Sequence, residues 1–156
     1  MKNENGVALH TLLLIIVVII IIATIIVKYG MKMIEQSKIQ DLRTNMLLIQ
    51  AKTKTALEEY NFSKDESKLI GSQIQEIDTD KIAKLQKAGE NYSNDWYCLN
   101  QEELNNMNLS DVKLPENEYF FVKYNKEDLT VEILYTQGFE ENNKIKYTLT
   151  QLQNME

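Results

Sequence analysis

From Val7 to Val27 the chain reads VALHTLLLIIVVIIIIATIIV, a run with no formal charge when His10 is neutral. Coiled as a helix, these residues rise about 31 Å, close to the hydrocarbon thickness of a bilayer. Ile and Val at this density also suit a buried strand. Strands rarely exceed about 10 residues, however, so length selects the helix. Lys28 and Tyr29 follow at once, where a snorkelling ammonium and an interfacial aromatic belong. The run is therefore expected to contact membrane lipid as an anchor, through Leu12, Ile16, Ile20 and Val27, with Lys28 and Tyr29 at its boundary.

A cleaved secretory signal is the competing reading of such a run. Its leader, Met1-Lys2-Asn3-Glu4-Asn5, is only weakly basic, and the apolar stretch exceeds the usual 7–15 residues of a signal core. No small-x-small cleavage site follows, since Lys28-Tyr29-Gly30-Met31 matches poorly, so the segment is expected to stay as an anchor. Charge bias on orientation is plain. Lys2 stands on one side and Lys28, Lys32 and Lys38 on the other, which by itself puts the C-terminal part in the cytoplasm.

Past Gly30 the helical pattern continues. Ile34, Ile39, Leu42, Met46, Ile49, Thr53, Ala56 and Tyr60 recur mostly at steps of three and four, and charged residues fill the other faces. A helix unbroken from Val7 to Tyr60 is about 80 Å long, with residues 31–60 as its amphipathic continuation. An ordinary juxtamembrane coiled coil is the alternative. A short helix is expected over Asp80–Ala88, capped by Asp78 or Thr79 and ended by Gly89. Asn100 and Glu103 have the spacing of a capping box. Beyond Pro115 the period falls to two. Phe120, Val122 and Tyr124 share one face, as do Leu129, Val131, Ile133 and Tyr135, then Ile145, Tyr147 and Leu149. Three antiparallel strands near 118–124, 129–136 and 144–150 follow, with turns at Asn125–Asp128 and Gly138–Asn143. The helical stripe is the natural cover for such a sheet. The expected fold is α+β: a long N-terminal helix, membrane-spanning in its first half, packed on a small antiparallel sheet within a soluble domain of residues 61–156.

Chemistry is sparse in this chain. Its 156 residues carry a net charge of −6 without a basic stripe, which gives a nucleic-acid partner no electrostatic support. The one histidine lies in the anchor, far from the one cysteine, Cys98, which removes Ser-His and Cys-His catalysis from the soluble part. HExxH, CxxC, P-loop and GxGxxG patterns are absent. Cys98 reads as a buried small hydrophobe, and Trp96, Tyr97 and the aromatics at 119–124 as core. Glu140, Glu141, Asn142 and Asn143 offer oxygen atoms, but their spacing matches no calcium loop and reads as a turn. No catalytic, cofactor-binding or metal-ligating residue is expected, and no enzymatic activity.

The N-terminus has a further pattern: a short polar leader ending in Gly6, followed directly by the long apolar helix. This resembles the prepilin-type signal of type IV pilins and the pseudopilins of type II secretion. Trp96–Leu99, Tyr119–Tyr124 and Tyr135–Phe139 also look like pilin-like proteins of clostridia and their relatives. The resemblance implies a leader of residues 1–6, a transmembrane helix over 7–30, and cleavage between Gly6 and Val7 by a prepilin peptidase that methylates Val7. It also implies partners of the same kind, met through the N-terminal helix, in a type IV pilus or type II secretion-like envelope machine. The N-terminus would then be cytoplasmic and the domain extracellular, opposite to the charge bias. The chain departs from the family pattern in two places: Val7 stands where the family usually has phenylalanine or another bulky residue, and Thr11 stands where a glutamate normally lies. Thr11 cannot pair with a neighbour's terminal ammonium, which points to a minor or tip-type subunit. Two other functions fit the same anchor: an unprocessed bitopic scaffold, and a membrane-tethered cytoplasmic domain.

Overall fold

The computed structural model describes the backbone of residues 4–141 and 144–154, with side-chain surroundings from Leu13 onward except at Lys32 and Glu141. Helix α1 runs Glu4–Ser63. Its residues divide between two compact units, Met1–Gln40 and Asp41–Glu156, each described by itself.

In the first unit the chain is helical through the apolar run and on past Gly30, where a Cβ would meet nothing within 4 Å. β-branched residues are modest helix formers in water. In a bilayer, only a helix lets a lone segment satisfy all of its backbone polar groups.

The second unit is built on an antiparallel meander of five strands in sequential order. These are β1 (Ser72–Gln73), β2 (Trp96–Leu99), β3 (Phe120–Asn125), β4 (Thr130–Glu141) and β5 (Lys144–Thr148). Helix α2 (Thr79–Lys87) joins β1 to β2, α3 (Gln101–Asn106) follows β2, and α4 (Leu149–Gln153) closes the chain. The sequence pattern anticipates the last three strands and misses β1 and β2. Two residues are too few to show a period, and Trp96–Leu99 is buried throughout, so it has none.

Both faces of the sheet centre are buried. Opposed residues in antiparallel strands share a face, so the register Cys98–Phe121–Leu134 marks one side and Tyr97–Val122–Ile133 the other. Cys98, Phe121 and Leu134 cluster with Ile74, Leu85, Trp96 and Tyr147, under partial cover from Ile82, Ala88, Tyr92 and Tyr119. The other side belongs to α1. Met46, Ile49, Thr53, Ala56 and Leu57 are buried there, and Gln50 Nε2 donates to Val131 O at 3.1 Å.

Several boundaries differ from the sequence reading for local reasons. Leu129 is not a strand residue; it closes the β3–β4 loop at φ +51°, and Asn125 Oδ1 accepts from the N–H groups of Glu127 and Asp128. Gly138 is not the start of a turn. It sits inside β4 at φ +75°, where the register with β5 shifts, so the strand continues to Glu141. Leu149 begins α4, because Thr148 and Gln151 form a capping box. Asp78 precedes α2 without capping it; its carboxylate accepts from Gln75 N at 3.1 Å. The Asn100–Glu103 box forms as its spacing predicts, with Glu103 Oε2 accepting from Asn100 N at 3.0 Å.

Candidate functional site

Every residue from Leu13 to Tyr29 is exposed. Ile16 is 49%, Ile20 59%, Val27 59% and Tyr29 68% accessible, so no face of this stretch is shielded. Soluble proteins rarely leave more than a few hundred Å² of contiguous apolar surface in water, and here the whole circumference is apolar. The one polar side chain in its later turns is satisfied locally: Thr24 Oγ1 donates to Ile20 O at 2.8 Å. Among the described residues this is one helix long and apolar enough to cross a membrane, with a mean hydropathy of 2.9. Lys28 and Tyr29 follow it, both exposed, as an interfacial pair requires. The surroundings of Gly6, Val7, His10, Thr11 and Leu12 lie outside what the structure describes.

Exposure then separates the expected stripe into two parts. Ile34 is 57% accessible, and Ile39, Leu42 and Tyr60 are half-buried, while Met46, Ile49, Thr53 and Ala56 are buried. Leu57, four residues after Thr53 but absent from the expected stripe, is fully buried too. Polar side chains of α1 fasten this buried half to neighbouring backbone. Arg43 Nη2 donates to Leu152 O at 2.7 Å, and Lys54 Nζ donates to Leu129 O. Thr53 is accommodated in the core because Oγ1 donates to Ile49 O at 2.8 Å.

The remaining sequence candidates fall in the core or on solvated turns. Cys98 is buried, and burial above all pushes its thiol up to about 12, so no thiolate forms near neutral pH. Trp96 is fully buried and its indole N–H donates to Asn91 O at 3.1 Å. The Tyr97 phenol is pushed up to about 12, first by burial and then by the charge of Glu66, to which it donates at 3.2 Å. Glu140 is exposed at the end of β4, whereas the Glu141 side chain and Asn142 and Asn143 lie outside the described residues. Among the described residues, no three His, Cys, Asp or Glu side chains gather as a metal site. An open groove of about 490 Å³ lies beside α2, lined by Asp78, Lys81, Lys84 and Tyr119 among others. Its lysines are engaged: Lys81 with Asp78 at 3.4 Å, Lys84 with Glu118 at 3.1 Å.

Fold and exposure together define an α+β protein whose N-terminal helix is fit to cross a membrane. No protein-family model, no curated protein and no solved structure matches the chain.

Proposed function

We propose that the chain is a non-enzymatic pilin-like subunit of a type IV pilus or type II secretion-like envelope machine. In this reading it is made with a leader of residues 1–6, cut after Gly6 and methylated on Val7. One observation carries the proposal. Within the single helix α1, the first part is apolar and exposed all round, and a later part is the buried spine of a small antiparallel domain. Such a helix serves two solvents, lipid before assembly and protein after it. Thr11, at the place of the family's glutamate, suits a minor or tip-type subunit that stacks on no further neighbour. The N-terminus then faces the cytoplasm and the domain lies outside.

Mass spectrometry of the membrane-extracted protein tests this reading. A chain starting at methylated Val7 is expected, and replacing Gly6 with a bulky residue should block the cut. Intact Met1 in cells that contain the peptidase would overturn the proposal in favour of an unprocessed bitopic scaffold. The Lys28, Lys32 and Lys38 bias favours a second reading, a tethered cytoplasmic domain. Protease added to intact, wall-stripped cells distinguishes the two, because cleavage within residues 90–103 requires an external domain.

A further inference from the structure

The helix does not turn polar where the apolar run ends. Tyr29, Met31, Met33 and Ile34 are 68%, 60%, 70% and 57% accessible, interleaved with exposed Lys28 and Lys38. At about 100° per residue, Lys28, Lys32 and Lys38 fall within about 120° of one another, with Glu35 among them. Tyr29, Met33 and Ile34 fall on the other side, while Met31 falls among the lysines. Water is a poor solvent for that apolar side, and the headgroup–acyl boundary adjoining the span is a good one. Three lysines against one glutamate give the segment a net charge of +2. Four of the 17 basic and two of the 23 acidic residues lie before Asp41, which leaves residues 41–156 at −8 and unattractive to an anionic surface.

We infer that residues 28–38 of α1 form an interfacial collar whose net positive charge binds anionic phospholipid headgroups. The inference rests on the membrane-anchor reading and deepens it. The apolar side seats the segment at the boundary, which brings its positive charge level with lipid phosphates.

The test uses the full chain in nanodiscs of equimolar phosphatidylcholine and phosphatidylglycerol, with the phospholipids retained after detergent release counted by native mass spectrometry. The wild type is expected to retain phosphatidylglycerol over phosphatidylcholine by roughly threefold, lost in about 1 M salt, where charges are screened within about 3 Å. Lys28→Gln/Lys32→Gln/Lys38→Gln should bring the ratio to parity, and Glu35→Gln should raise it. Retention in the bulk ratio by the wild type, or undiminished enrichment in the triple variant, overturns the collar. A chain that never enters the discs overturns the anchor itself, a separate result.

Discussion

Tyr124 is fully buried in β3, and its hydroxyl both donates to Ile70 O at 2.9 Å and accepts from Ile70 N at 3.2 Å. One phenol thus satisfies both backbone groups of a residue that is not paired in the sheet. Tyr124→Phe leaves them without that partner and should cost about 1–3 kcal/mol, read by urea unfolding of the detergent-solubilised full chain through Trp96 fluorescence. Glu132 has the opposite character. Burial first, and the charge of Glu90 second, raise its carboxyl above the usual 4.5, against the pull of Lys123. A raised acid favours the fold in its neutral form. Its contribution is therefore full below the ordinary value and is lost as pH rises through the raised one. Glu132→Gln should raise the thermal midpoint at pH 7 and leave it unchanged well below pH 4.5. Neither role is legible in the sequence, where Tyr124 looks like any alternating apolar residue and Glu132 like any solvated acid. Both depend on which segment packs against the strand.

Among the elements, β4 departs furthest from its pattern. Alternation in 129–136 is clear, but Gly138 looks like punctuation and lies inside the strand, where the register with β5 shifts. A Cβ there would lie 2.5 Å from Ile145 Cγ2 and 2.7 Å from Tyr147 Cε1, in a backbone conformation that L residues rarely adopt. Gly138→Ala should therefore destabilise the fold by about 2 kcal/mol or more, with loss of hydrogen-exchange protection concentrated in β5. The end of β5 was open to sequence reading: Thr148 and Gln151 have capping-box spacing, and the apparent alternation of Ile145, Tyr147 and Leu149 masks it. β2 gave less to read. Four buried residues with both faces covered have no period, and their strand identity comes from pairing with Phe120–Lys123. At Gly71 the demand is steric as well, since a Cβ would lie 2.9 Å from Cys98 O, so only glycine lets the chain enter β1 so close to β2.

On the scale of the whole molecule, α1 belongs to two environments, and a change in one should leave the other alone. Ile20→Lys puts a charge near the middle of the apolar run, at a cost of about 2.5–3.5 kcal/mol to insertion. The variant should be extracted by alkaline carbonate where the wild type stays with the membrane. Trp96 fluorescence should be unchanged, because its cluster draws on residues from Ile74 onward. An altered Trp96 signal would mean that the anchor contributes to folding of the second unit.

Length, hydropathy and local spacing determined what depends on a residue's own neighbours along the chain. These were the membrane-length helix at Val7–Val27, its continuation past Gly30, the Asn100–Glu103 cap and the alternation of β3 and β4. Such features need only a period of 3.6 or 2 and a capping distance of three. The tertiary structure decided which part of the stripe is buried, that the sheet has five strands rather than three, and that it is covered on both faces. Those outcomes turn on contacts between residues tens of positions apart, such as Cys98 with Phe121, and Ile70 with Tyr124. Burial on both faces erases the alternation by which a strand is recognised, so β2 left no period to read, and β1, two residues long, was too short to show one.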